Sequence, residues 1–167
     1  SMNKKSFEIK PGIKLHLIET DFFKTNLVCV IITVPLKEEI VTKNALIPFV
    51  LRRGTKNLPS QAMLSEKLEN LYGANFDCGI DKIGDDQVLK FYLETINNEF
   101  LPENEDNLNE AINILLEVIF NPLVENNEFN KEYVESEIKN LKQVIEGRKD
   151  SKATYAYERC IEEMYKD

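Results

Sequence analysis

The chain contains a single histidine, His16, and 29 acidic residues, and these set the chemistry that its side chains could perform. A catalytic zinc needs two nitrogen ligands, a carboxylate and an open position for water, together with a glutamate that takes the proton of that water. One imidazole cannot supply both nitrogen ligands. His16 also lies in the alternating segment "KLHLIE", which favours a solvated strand histidine over a metal ligand. The sequence therefore predicts no zinc site, and no other cofactor site, within these 167 residues.

Other chemical signatures are missing from the sequence as well. There is no Ser-His-Asp arrangement and no glycine-rich phosphate loop, and the glycines of "GIDKIGD" are too few for a nucleotide fingerprint. The three cysteines, Cys29, Cys78 and Cys160, contain no C-x-x-C pair, so the pattern indicates neither a disulfide framework nor a zinc ribbon. We interpret all three as small buried hydrophobes, and this usage fits a cytoplasmic protein best.

One helix of the chain keeps an interior proline. The segment "TKNALIPFVLRRGTKNLPS" predicts a helix that is capped by Thr42, carries Pro48 halfway along and ends at Gly54, where a left-handed residue is favoured. An interior proline costs ~3 kcal/mol, so packing must hold this helix in place. The apolar face that would pack consists of Ala45, Leu46, Phe49 and Val50.

The elements around this helix follow from periodicity and turn residues. A hairpin turning at Pro11-Gly12 precedes an apolar, β-branched run, 25–36, which we expect in the middle of a sheet. The predicted helix is followed by a second one that starts at Ser60, and then by a second hairpin turning at Gly84-Asp85. Helices are predicted over 107–120, along a long stripe between Phe129 and Ile145, and after Ser151. The order ββ-β-αα-ββ-ααα predicts an α+β fold, an antiparallel sheet with helices packed on it.

Length and charge limit the classes of partner. With 167 residues, of which 43% are hydrophobic, residues 1–167 are expected to form a single domain. The net charge is −8 and lysine and arginine occur at most in pairs, so we expect no nucleic-acid partner, and no apolar run reaches the ~20 residues of a membrane span. We interpret Ser1 as a scar of a cleaved tag. The end "CIEEMYKD" lies inside a helical pattern, so we expect the chain to be the N-terminal part of a longer protein.

Three segments resemble one protein family in their order and spacing. The segments "RRGT", "LENLYGA" and "FNKEYVESEIKNLKQVIEGRKD" are similar to the N-terminal domain of the pitrilysin/insulinase family of inverted-motif zinc peptidases, which includes the mitochondrial processing peptidases. In that family a helix bearing H-x-x-E-H ends in an R/K-G-T turn, and a later long helix supplies a glutamate as the third zinc ligand. The resemblance covers nearly all of the chain and implies a LuxS/processing-peptidase-like metallohydrolase domain.

The zinc motif itself is not matched by this sequence. With Arg53, Gly54 and Thr55 aligned on the R/K-G-T turn, alanine, proline and phenylalanine occupy the positions of the first histidine, the general-base glutamate and the second histidine; in the long helix a valine falls on the third ligand. These four positions are Ala45, Pro48, Phe49 and Val144. Glu137 matches an acidic position of the family two turns earlier, but the resemblance leaves it no metal to support.

The resemblance implies a non-catalytic bacterial homologue, similar to the inactive branch linked to maturation of elongation factor P. Such a protein would pair with a zinc-bearing homologous subunit or form one half of a chamber that encloses a peptide, and an extended peptide could add to an exposed sheet edge. Two alternatives remain open. One is a purely structural assembly subunit, as among the respiratory-complex core proteins of this fold, and the other is an active peptidase with ligands outside this fragment.

Overall fold

The sheet that dominates the fold is antiparallel and has five strands. A computed structural model describes residues 2–146, apart from 12, 23 and 104. The strands are β1 (Met2–Lys10), β2 (Ile13–Phe22), β3 (Thr25–Pro35), β4 (Asn75–Ile83) and β5 (Asp86–Ile96). Their order in space is β1-β2-β3-β5-β4, so the apolar β3 is the central strand, as its composition predicts.

Four helices accompany the sheet in the described part of the chain. They are α1 (Val41–Leu51), α2 (Gln61–Glu69), α3 (Asn107–Phe120) and α4 (Lys131–Glu146). A 3₁₀ turn, Asn98–Phe100, follows β5, and a short hairpin of β6 (Val124–Glu125) and β7 (Glu128–Phe129) precedes α4. None of these helices has the length and apolar character needed to cross a membrane. The α+β prediction is confirmed, while the predicted helix after Ser151 and the residue Cys160 lie outside the described residues.

Local signals located several boundaries correctly. Ser60 caps α2 by accepting a hydrogen bond from the backbone N–H of Met63 at 3.1 Å. The two-residue turn at Gly84-Asp85 joins β4 to β5, and Gly84 adopts the positive φ of +59° that such a turn requires. The helix predicted over 107–120 is α3, and it is capped by Asp106, whose side chain accepts from the backbone N–H of Asn109.

Other boundaries were wrong. The N-cap of α1 is Ile40, which makes no side-chain capping bond, and the predicted cap Thr42 lies inside the first turn. The helix starts early because the backbone N–H of Asn44 already donates to the carbonyl of Ile40 at 2.9 Å. The polar start of β1, from Met2, and the β6-β7 hairpin were not predicted. Both segments are polar or very short, so they carry no alternation by which a strand could be recognised.

The sheet buries apolar residues on both faces. On one face, strand residues such as Val30, Phe91 and Cys78 form a core cluster with residues of α1, α2 and α3. On the other face the buried cluster consists of strand residues: Ile18, Leu27, Cys29, Ile31, Val88 and Tyr92. The apolar helix α1 therefore packs on the first face, where it contacts β4 and β5, and it also packs against α4.

The described cysteines are buried, as predicted, but they differ in redox state. Cys29 on β3 has no exposed surface and is disulfide-bonded. The sequence did not predict a disulfide bond. The spacing of cysteines along the chain does not determine which of them meet in space. Cys78 on β4 is a free thiol.

Candidate functional site

Helix α1, which the resemblance aligns with the zinc-motif helix, presents a mixture of buried and half-buried apolar residues. Pro48 is buried, whereas Ala45 and Phe49 are half-buried. Phe49 packs against the core cluster of the helical face, and the guanidinium of Arg52 lies 5.6 Å from the centre of its ring. None of these three side chains can donate a lone pair to a metal or take a proton from water.

The proline is accommodated at the price of one hydrogen bond inside α1. Proline has no N–H to donate to the preceding turn, yet its carbonyl still accepts from the backbone N–H of Arg52 at 3.1 Å. The residues Leu46, Val50 and Leu51 of this helix are buried. Burial of these aliphatic side chains offsets the weak local propensity, so α1 is held by tertiary packing.

The first residue of the turn 53–55 forms a buried ion pair. The Nε of Arg53 lies 2.8 Å from Oε1 of Glu137 on α4, and its Nη2 donates to Oγ of Ser136 at 2.8 Å. Glu137 is only 4% exposed, so its carboxylate is almost wholly removed from water. The guanidinium also stacks 5.1 Å above the ring of Tyr133. Arg53 thus provides the positive charge that a buried carboxylate needs.

The second residue of the turn must be a glycine. Gly54 has a φ of +153°, and a Cβ built on it would lie 2.7 Å from the carbonyl oxygen of Leu58 and 3.1 Å from the backbone nitrogen of Ser60. Both the backbone conformation and the space exclude a side chain. The chain can therefore fold back tightly from the end of α1 towards α2.

The third residue connects the turn to α3. Thr55 has no exposed surface. Its hydroxyl donates to Oε1 of Glu117 at 2.8 Å and accepts from the backbone N–H of Leu58 at 3.0 Å. The backbone of Thr55 also forms an isolated bridge with Pro122. The turn 53–55 consequently ties α1 to α4 through its arginine and to α3 through its threonine.

Cys78 adjoins this region from the sheet. Burial raises the pKa of its thiol to about 12, opposed by the positive charge of Arg52 and reinforced by the charges of Asp77 and Glu137. At neutral pH the sulfur is a protonated, buried thiol and not a thiolate ligand or nucleophile. Cys78 is therefore a hydrophobe of the core.

The remaining predicted residues do not add ligands. Val144 falls within α4, and its side chain lies outside what the structure describes. His16 lies on β2 as predicted, but it is half-buried and hydrogen-bonded through Nδ1 to Oγ of Ser6 at 2.9 Å. Desolvation and the nearby Lys4 and Lys14 lower its pKa, which favours the neutral ring. Among the described residues, no group of three or more His, Cys, Asp or Glu side chains could hold a metal ion.

The sequence did not identify the partners of the retained residues. Ser136 and Tyr133 contact Arg53, and Glu117 contacts Thr55. The hydrogen bonds to Ser136 and Glu117 span 83 and 62 residues of the chain. Ser136 and Glu137 follow each other on α4, so the acidic position itself was the one signal that could have pointed to this contact. The pairing with arginine could not be read from it.

No family model matches the chain. Its sequence is 36% identical over 156 residues to a protein of Bacillus subtilis (strain 168) named "Probable inactive metalloprotease YmfF", a match that covers 93% of this chain and 37% of that protein. A solved structure, described as the crystal structure of a conserved protein from Enterococcus faecalis V583, aligns with a TM-score of 0.72 and 33% identity over 92% of this chain and 36% of that one. The chain is thus a homologue of a probable inactive metalloprotease, and it spans little more than a third of the length of either protein.

Proposed function

We propose that this chain is part of a non-catalytic zinc-peptidase homologue of the pitrilysin/insulinase type, acting as the partner subunit of a zinc-bearing homologue in a bacterial, cytoplasmic complex. The observation that carries the proposal is the ion pair of Glu137 with Arg53. The acidic residue that the resemblance retains near the motif helix is neutralised by a guanidinium at 2.8 Å, while Ala45, Pro48 and Phe49 occupy the motif positions.

Charge and desolvation explain why this arrangement disfavours zinc. A carboxylate that is 4% exposed and paired with arginine has already offset its desolvation cost. A divalent cation near it would have to compete with the guanidinium, which cannot lose its proton. A catalytic zinc also needs three protein ligands, and α1 offers none at the motif positions.

The retained residues support a role that depends on shape. Arg53, Gly54 and Thr55 keep α1 joined to α3 and α4, so the chain preserves the arrangement of the motif helix without its chemistry. A homologue with this property is useful when a second, catalytic subunit docks beside it. The proposal extends to two further points. The two subunits would enclose an extended peptide between them, and the complex would be linked to maturation of elongation factor P, as the resemblance implies.

Two measurements on the full-length protein test the proposal. Elemental analysis should find less than about one zinc per ten chains, since a catalytic site needs three protein ligands. Co-expression with a zinc-bearing homologue from the same genome should yield a complex that survives gel filtration. A persistent interface usually buries more than ~1,000 Å², so residues 1–167 alone should bind the partner more weakly than the full-length protein. One tightly bound zinc per chain would contradict the non-catalytic assignment and favour the active-peptidase alternative, and failure to form any complex would reject the partner role.

Restoring the motif gives a second test. The variant Ala45→His/Pro48→Glu/Phe49→His should not acquire peptidase activity, because the carboxylate at position 48 would be buried without a partner and the third ligand position holds Val144. We expect a lower melting temperature than that of the parent. Activity in this variant, measured on an unstructured fluorogenic peptide, would contradict the proposal that this region cannot form a catalytic zinc site.

A further inference from the structure

The strand β4 lies at the edge of the five-stranded sheet. Its only strand neighbour in the described part of the chain is β5, so one side of its backbone faces away from the sheet. Such an edge presents N–H and C=O groups with which another strand could pair. The state of these groups decides whether a peptide or a second protein can dock on β4.

The register identifies the amides that face outward. β4 and β5 are joined by the two-residue turn Gly84-Asp85, with Ile83 opposite Asp86. The residues that flank a two-residue hairpin turn exchange both of their backbone hydrogen bonds, and hydrogen-bonded pairs alternate with non-bonded pairs along an antiparallel ladder. Odd-numbered residues of β4 therefore bond to β5, and the even-numbered residues direct their N–H groups outward.

Two of the outward amides are occupied by the side chain that precedes them. The backbone N–H of Cys78 donates to Oδ1 of Asp77 at 2.8 Å, and the backbone N–H of Lys82 donates to Oδ1 of Asp81 at 2.8 Å. Short polar side chains commonly compete for backbone groups in this way. The two caps are four residues apart, so they recur at the same side of the strand.

Each capping carboxylate is also placed beside a basic side chain. Asp77 lies 3.6 Å from Nη1 of Arg52, which follows α1. Asp81 lies 3.5 Å from Nζ of Lys90 on β5, and Lys90 is largely buried. Both carboxylates therefore lie within the range of an attractive charge pair with a cation next to the strand. The arrangement is repeated at both positions, with a different basic residue each time.

We propose that Asp77 and Asp81 close the β4 edge to strand addition. An incoming strand would need the N–H groups of Cys78 and Lys82, and it would have to displace both carboxylates from the strand and from their cations. The displaced carboxylates would also place two negative charges beside the added backbone. Proteins protect exposed sheet edges with charged side chains for the same reason.

Closure of the β4 edge limits where a peptide could bind in the proposed complex, but it does not require that the proposed function is correct. If a peptide binds as an added strand, β4 is excluded as its site, whereas docking of a zinc-bearing subunit through helices or loops is unaffected. Zinc content and complex formation test the partner role, and neither depends on the β4 amides. The two ideas can therefore fail separately.

Residue-resolved amide hydrogen exchange on the full-length protein tests the caps directly. After correction for intrinsic rates, the amides of Cys78 and Lys82 should exchange roughly three- to tenfold more slowly than the outward amide of Phe76 in the same strand. Asp77→Ala/Asp81→Ala should remove this difference. The matched control Asp77→Asn/Asp81→Asn removes the charge but keeps an acceptor oxygen, so it should keep most of the protection.

The closure itself is tested by self-association. Sedimentation of the full-length variants should show that Asp77→Ala/Asp81→Ala associates roughly tenfold more tightly than Asp77→Asn/Asp81→Asn, because only the alanine variant leaves both amides free to pair. Equal exchange at Cys78, Lys82 and Phe76 in the unmodified protein would overturn the caps, and this result needs no variant to fold. Equal association of the two variants would overturn the closure.

Discussion

The motif face of α1, residues 45–49, and the turn 53–55 are close neighbours in the sequence. They nevertheless differ in the kind of side chain that they carry. The motif face carries alanine, proline and phenylalanine at the positions that the resemblance aligns with the zinc motif. The turn keeps an arginine, a glycine and a threonine, which respectively form an ion pair to α4, allow a close backbone approach and donate a hydrogen bond to α3. The turn therefore carries groups that hold elements together, whereas the side chains at positions 45, 48 and 49 can neither bind a metal nor transfer a proton.

The two neighbouring arginines, Arg52 and Arg53, differ in how deeply their ion pairs are buried. Arg53 pairs with a carboxylate that is 4% exposed, whereas the side chains of Arg52 and Asp77 are 34% and 38% exposed and lie 3.6 Å apart. Buried pairs become costly when one partner is removed, while exposed pairs contribute little. The turn should thus be sensitive to mutation at one arginine and tolerant at the next.

The largest expected effect follows from Arg53→Met. It leaves the carboxylate of Glu137 buried without a positive charge, and the free energy of unfolding should fall by ~3 kcal/mol. Arg52→Met is the matched control and should change it by less than ~1 kcal/mol. Urea denaturation of both variants checks this. An equal loss of unfolding free energy in both variants would mean that the buried ion pair of Arg53 contributes no more to stability than the exposed pair of Arg52.

A somewhat smaller effect is expected for Gly54→Ala. The new Cβ would clash with the carbonyl of Leu58, and the positive φ adds strain, so a loss of ~2 kcal/mol is expected. Gly84→Ala also has a positive φ but meets no atom within 4 Å, so it should lose only ~1 kcal/mol. Melting temperatures distinguish the two. A similar loss in both variants would show that the close approach at residue 54 can relax.

On the motif face, Phe49→Ala should cost less than a core substitution. Fully buried phenylalanines lose about 3–5 kcal/mol on truncation, and a half-buried ring should lose about half of that, ~2 kcal/mol or less. Association of the full-length protein with its partner should be unchanged in the folded fraction. Thermal melts and co-purification measure the two properties. Lost association at an unchanged melting temperature would place Phe49 in an interface and give the motif face a function of its own.

The smallest effect concerns Cys78 of β4, whose thiol senses the charges of Arg52 and Glu137. Because burial raises the pKa of its thiol to about 12, this cysteine should remain protonated and should not react with a maleimide at neutral pH in the native protein. The same residue should react fully after denaturation, and mass spectrometry of tryptic peptides resolves it. Rapid labelling of the native protein would reveal a reachable sulfur near Glu137 and would weaken the contrast between the two regions.

Much of the fold was determined by the sequence alone, because its signals act over a few residues. The cap at Ser60, the turn at Gly84-Asp85 and the full length of α3 depend on neighbours within about one turn of chain. The apolar run of β3 likewise predicted its central place, since only a strand covered on both faces can be so continuously hydrophobic. The sequence also shows that Ala45, Pro48 and Phe49 are not metal ligands, whereas their link to a zinc motif rests on the resemblance alone.

The tertiary structure alone decided which distant groups meet. The pair of Arg53 and Glu137 joins residues 84 apart in the sequence, and nothing in either segment specifies the other. The insertion of β5 between β3 and β4 makes β4 an edge, and only then do the two aspartates that cap its amides acquire a consequence. Start residues of helices, such as Val41 in α1, were also decided by the backbone ladder and not by the best capping side chain. Local preferences fix the elements, whereas burial and charge pairing between elements arise only when the chain has folded.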